Sequence, residues 1–319
     1  MPVDGKRGRA DGGKEPIGRG SLVGTARSAE YTRSPMLSAR PVGSLLLFLV
    51  LGAAPGCKDD AKESATHAQE DAAQLAALVD KDVGEVERGL PEGATVLASL
   101  LANGADPQKN VADVRRALFR VRRDVSDLNV AKSTFFALAD PSGIAIRNDL
   151  EEDTMAGQNL FAIFPGLAKA KNGFTTTTGE FPSPQPRAHA DKDWIAGAPV
   201  RRVDGSTGAL LVTGWSYRYF ARHLEEALKR SLLDQAKAAG NEGQLPVFYV
   251  AVFDPKGVYS APLTPEVDEK ALVGESLVAK TASGPTRGTV TITDRAFGFA
   301  ANRTPKLAPE TGIVVLRSE

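Results

Sequence analysis

The chain has 319 residues, 42 % of them hydrophobic and 24 % charged, and 39 basic residues balance 39 acidic ones to a formal net charge of zero. This composition suits a folded protein of one large or two ordinary domains and excludes a disordered one, while the neutral balance excludes a global field that would draw the chain onto nucleic acid. One cysteine excludes an internal disulfide framework or a cysteine-rich metal site, and three histidines leave little material for imidazole chemistry.

Residues 1–35 are rich in Gly, Arg and Lys and have no apolar periodicity. They read either as a disordered leader or as sequence upstream of a true start at Met36. Residues 36–56 read as a signal peptide: Arg40 supplies the positive region, Leu45 to Leu51 the apolar run, and Gly52, Ala53, Ala54 and Gly56 the small residues before Cys57. The apolar run is about half the length that crosses a bilayer as a stable helix. Ala54-Pro55-Gly56-Cys57 resembles the lipobox of bacterial lipoproteins, although Ala54 stands where Leu is usual and Pro55 is atypical. The resemblance implies that Cys57 carries diacylglycerol, becomes the first mature residue and anchors everything after it outside the cytoplasm. Lys58 follows the cysteine where Asp would signal inner-membrane retention, so the periplasmic side of the outer membrane is expected. The competing reading is an ordinary signal peptide or a core helix with Cys57 incidental.

Residues 57–70 read as a polar tether and 71–133 as a helical stalk. In the stalk, Leu90-Pro91-Glu92-Gly93 is expected to interrupt the first helical run, and Asn103-Gly104 to stop the second. Val111, Val114, Leu118, Val121, Val125 and Leu128 then recur at three- and four-residue spacing, which predicts an amphipathic helix. Arg115, Arg116, Arg120, Arg122 and Arg123 lie on its other faces. They read as a solvated surface beside Asp113, Asp124 and Asp127, with a phosphate- or lipid-binding strip as the alternative.

From residue 134 the periodicity changes and a repeat emerges. FFALADPSGIAIRND and FYVAVFDPKGVYSAP each place an Asp-Pro-x-Gly turn between two apolar strands, at Asp140–Gly143 and Asp254–Gly257. In such a turn Pro presets φ, Asp caps locally and Gly is expected to take a positive φ. Each hairpin is followed by a G-x-x-L segment, at Gly157–Leu160 and Gly274–Leu277, then by three strand candidates. These are 174–181, 194–202 and 208–215 in the first copy and 288–293, 296–303 and 312–317 in the second. Residues 134–216 thus form a first module, 217–240 a connecting helix carrying Phe220, Leu224, Leu228 and Leu232, and 245–319 a second module.

This order resembles the double Cache family of extracytoplasmic sensor domains, tandem PAS-like modules, over Val111 to Glu319. The resemblance implies an α+β fold: an N-terminal helical stalk followed by two PAS-like modules, each an antiparallel sheet with helical cover. It also implies a small-molecule ligand beneath the lid of the first module, Gly157 to Gly173. Candidate pocket residues are Phe161, Phe164, Thr176, Thr178, Trp194 and Arg201. The aromatics also read as ordinary core, the threonines as plain strand formers and Arg201 as a surface ion-pair partner. Amino-acid-binding members carry an Arg and aromatics in the lid. Ala162, Ile163 and Phe164 stand there instead, so the ligand class stays open.

No catalytic constellation is legible, and no enzyme, metal or cofactor is expected. His189, Asp191 and Asp193 in AHADKDW read as a solvated loop, and the glycines lack phosphate-loop spacing. Family members continue into a membrane span and signalling domain, whereas this sequence runs out after its last strand, so an envelope signalling partner is expected. The leading expectation is a lipid-anchored sensor or binding protein. Its rivals are an interaction protein with degenerate Cache modules and no ligand, and an envelope hydrolase with an unrecognised site.

Overall fold

A 42-residue helix, α1 (Gly56–Leu97), forms the spine of the molecule. The computed structural model describes residues 56–129, 135–180, 191–240 and 245–319, all within one compact unit, Ala53–Glu319. The leader (1–35), nearly all of the signal segment (36–56) and the Cys57 side chain lie outside the described residues.

The expected tether is not a tether. Ala61, Ser64, Ala65 and Ala68 recur at three- and four-residue spacing and are buried, so the first turns of α1 already carry an inward stripe. The stripe is built of small residues, which is why it reads as polar and featureless in the sequence. Its partner is Gly298 of the second sheet, where a Cβ would overlap the Ala65 backbone. Nor does Leu90-Pro91-Glu92-Gly93 interrupt the helix. Pro91 is exposed, so water reaches the carbonyl its missing N–H leaves free, while Leu90 is fully buried. Gly93 lets Val121, Leu128 and Leu211 approach the helix backbone.

α2 (Val111–Asp124) packs Val114, Leu118 and Val121 of its expected stripe inward, whereas Val111 at its first position is exposed. Two five-stranded antiparallel sheets follow. The first contains β1 (Phe135–Ala139), β2 (Ala145–Asn148), β3 (Thr175–Gly179), β4 (Asp193–Arg201) and β5 (Thr207–Ser216) in the order β2-β1-β5-β4-β3. The second contains β6 (Val247–Asp254), β7 (Gly257–Ser260), β8 (Thr286–Ile292), β9 (Arg295–Arg303) and β10 (Gly312–Ser318) in the order β7-β6-β10-β9-β8. Strand for strand, the topology is the same, so the repeat read from the sequence is a repeat of structure.

α4 (Tyr217–Ala238) joins the sheets and is capped by Ser216, whose hydroxyl accepts from Tyr219 N. One face of the first sheet packs on α1, α2 and α4 and one face of the second on α1 and α4, in a single core that runs from Phe136, Trp194 and Leu211 to Val252, Ile313 and Val315. The other face of each sheet lies under its own lid. The first lid is α3 (Leu160–Ile163) with a 3-10 turn at Pro165–Lys171; the second is α5 (Glu266–Gly274) with α6 (Leu277–Lys280). The fold is therefore α+β, with a long N-terminal helix preceding two sheet modules. That helix lies along both sheets instead of projecting from them.

Candidate functional site

The two Asp-Pro-x-Gly turns mark the same corner of each module, yet they close differently. Asp140 Oδ1 accepts from Ser142 N and Ile144 N at 2.8 and 3.0 Å, and Gly143 takes a φ of +89° as the last residue of a three-residue loop. In the second module Asp254 pairs directly with Gly257, and Asp254 Oδ1 accepts from Lys256 N at 2.7 Å. Gly257 is not among the positive-φ glycines, contrary to expectation, because it closes a two-residue loop and needs no left-handed step.

The lids diverge at the same corner. In the first module the lid is stitched to the hairpin: Leu160 N donates to Gly143 O at 2.8 Å and Ala145 N to Gln158 O at 2.9 Å. Phe161, the second residue of α3, lies on the turn, where a Cβ at Gly143 would run into its ring. Phe164 and Leu167 are fully buried against Ile195, Leu210 and Val212. Gly166 rests on Thr177, and Gly197 receives Leu167 and Ala170, so the first lid is packed down onto its sheet.

The structure divides the expected pocket residues. Phe161 and Phe164 belong to the first lid. Trp194 points to the other face of the sheet, stacked on Trp215 at 4.2 Å in the core shared with the helices. Thr176 and Thr178 pair with Ala196 and Trp194 and share that face, because directly paired residues project to the same side. Arg201 donates to Gly205 O at 3.0 Å and Asn172 O at 3.1 Å, tying the strand end to the end of the lid. Trp194, Thr176 and Thr178 are therefore corrected: they are not under the lid. The reason is that both faces of the sheet are covered, so alternation along the strand carries no sign of which face meets which cover.

The second module holds a cleft of about 510 Å³ between its turn and its lid. It is lined by Lys256 and Gly257 of the turn, Leu272 and Val278 of the lid, and Arg303 and Glu310 at the end of β9 and in the loop beyond. Val278 is the counterpart of Phe161, since each follows the buried Leu that opens its four-residue helix. No backbone bond joins Leu277 to the second turn among the described residues. The cleft thus lies where a ring closes the first module and a smaller side chain stands in the second. Arg303 is the counterpart of Arg201, the last residue of a nine-residue strand. It donates from Nη2 to Val278 O at 2.8 Å and from Nε to Thr281 Oγ1 at 3.3 Å. Ser276 and Glu310, at φ values of 50° and 58°, are left-handed non-glycine residues on the cleft rim. Sequence reasoning named Arg201 and not Arg303, although aligning the two copies pairs them.

A polar junction links the modules beside this cleft. The Asp254 carboxylate, which caps the second turn, also pairs with Lys192 from the start of β4. Arg218 holds Glu269 through two bonds, at 2.6 and 3.0 Å, and Ser260 donates to the same carboxylate. Burial raises the Asp191 carboxyl despite its hydrogen bond to Ser216. His189 lies outside the described residues, and no cluster that could hold a metal occurs among the described ones. On α2, Arg123 pairs with Asp124 at 2.7 Å, and Arg116 pairs with Asp113.

No protein-family model matches the chain, and no curated protein matches it. Solved structures do. The extracellular domain of a histidine kinase superposes with a TM-score of 0.53 at 12 % identity, covering 82 % of this chain and 93 % of that one. The fold is Cache-like, with two PAS-like sheet modules in tandem. Ligand-binding domains with lower scores include that of a Campylobacter jejuni chemoreceptor in complex with L-norvaline, with a TM-score of 0.48, 9 % identity and coverage of 82 % and 92 %. The repeated strand order of the two sheets agrees with the first of these likenesses. No helix among the described residues is long and apolar enough to cross a membrane.

Proposed function

We propose that this protein is an extracytoplasmic small-molecule sensor or binding protein, anchored to the cell envelope through lipid on Cys57 and reporting to an envelope partner. The observation that carries the reading is the cleft between turn and lid of a double Cache module, concave, largely apolar and edged by a few charged groups. The histidine-kinase domain that shares the fold is extracellular, which supports the placement outside the cytoplasm. A ligand beneath the first lid would meet Phe161, Phe164 and Arg201, and Phe164 would have to leave the core to admit it.

A second reading, an interaction lipoprotein with degenerate modules, is favoured by the packing of that first lid. A thermal-shift screen of the full chain against organic acids, amines, amino acids and purines separates the two. A bound compound at a hundred times its Kd adds about 2.7 kcal/mol of stability. If no class of compound shifts the transition, the sensor reading falls and the interaction reading takes its place.

A further inference from the structure

We infer that the second module's cleft is the ligand site, and that it takes a small monocarboxylate with an apolar body, held by Arg303. This rests on the small-molecule reading above and adds to it a place and a chemistry.

The place follows from the difference between the copies. Phe161 lies over the first turn and Leu160 is hydrogen-bonded to it, whereas Val278 leaves the second turn and its lid apart. Left-handed backbone at Ser276 and Glu310 flanks the same opening. Single left-handed residues of this kind persist only where the surrounding structure holds them in place.

The chemistry follows from Arg303. It is half-buried in a lining whose apolar part includes Phe253, Val258, Leu272 and Val278 and whose polar part includes Asp254, already paired with Lys192, and Lys256, already paired with Glu180. Nε and one N–H of Nη2 are spent on the lid, which fixes the plane of the guanidinium, and no carboxylate of the described residues pairs with it. Nη1 keeps two N–H donors. A half-buried cation without a counter-ion is a place where an incoming carboxylate gains a charge-assisted hydrogen bond at little further desolvation. The apolar wall accepts the rest of the molecule, and it disfavours a doubly charged phosphate. Glu310 stands exposed at the mouth, where water screens it.

The test titrates the full chain with isovalerate, 4-methylvalerate and phenylacetate, each beside its uncharged amide. At least one acid is expected to bind saturably and its amide about tenfold more weakly or worse. Val278→Phe, which supplies the ring found in the first module, is expected to weaken binding by at least about tenfold without lowering the melting temperature. Ala279→Phe fills the same cleft from the adjacent residue should Val278→Phe fold poorly. Arg303→Gln is expected to lose binding, and Arg303→Lys to restore part of it. Equal binding of acid and amide, or no binding by any of the three acids, overturns the carboxylate assignment. Binding undiminished by both cleft-filling variants overturns the place. In each case the wider screen still decides the sensor reading independently, because it contains other compound classes and does not depend on this cleft.

Discussion

Arg218 and Glu269 carry the most consequential ion pair of the second lid, because both side chains are largely out of water and their bonds join α4 to α5. Burial by itself raises the Glu269 carboxyl, but the hydrogen bonds from Arg218 and Ser260 outweigh it and hold the group below its ordinary value of 4.5. A depressed carboxylate contributes stability that is complete above the unfolded value and is lost as pH falls through the folded one. Glu269→Gln should therefore cost about 3 kcal/mol near neutral pH, since it leaves a buried guanidinium without its partner. The gap to the unsubstituted protein should close as pH drops below 4.5. Urea denaturation across a pH series measures this. Stability curves that stay parallel down to the acid limb would refute it.

Among the elements, α1 depends on small residues where larger ones would be expected to hold a helix in place. The hydrophobic effect is supplied further along, by Leu75, Val79, Val86, Leu90 and Leu97, while Ala65 and Gly298 set how closely the helix meets the second sheet. Backbone meets backbone there, so no side-chain rotation can relieve an added methyl group. Gly298→Ala is expected to destabilise by about 3 kcal/mol or more, at the severe end of overpacking. A change below about 0.5 kcal/mol in denaturant titration would show that the contact is looser than described. The same element was the hardest to read from sequence. A stripe of Ala and Ser carries almost no hydropathy signal, and a proline on a solvent-facing turn looks the same in sequence as a proline that ends a helix. The hairpins were legible because each turn residue has a local job.

At the scale of the whole molecule, the modules are not beads on a linker. One core passes from the first sheet through α1 and α4 into the second. Polar ties close both ends: Lys192 pairs with Asp254 across the junction, and Arg317 of the last strand pairs with Asp71 of α1 at 2.8 Å. The proposed lipid anchor extends this spine, since α1 begins at Gly56, immediately before Cys57. Replacing Cys57 by Ser is expected to move the protein from the membrane fraction to the soluble envelope fraction. Membrane association that survives the substitution would exclude lipidation as the anchor.

The chain's own order of residues determined the duplication, the strand sequence and the double Cache resemblance, because turns, strand periodicity and a recurrent G-x-x-L segment are local features that survive without knowledge of what packs where. It also placed an arginine at the end of the fourth strand, and thereby at the end of the ninth. Only the tertiary structure decided which face of each sheet meets its lid, and hence that Trp194 belongs to the helix-side core while Thr176 and Thr178 share its face on the edge strand, exposed and half-buried. It alone decided that the first lid is closed and the second parted. Both outcomes depend on contacts between segments far apart in the chain: a ring against a turn in one module, a valine facing an arginine in the other. Covered sheets are apolar on both sides, so nothing in a strand's pattern records its neighbours.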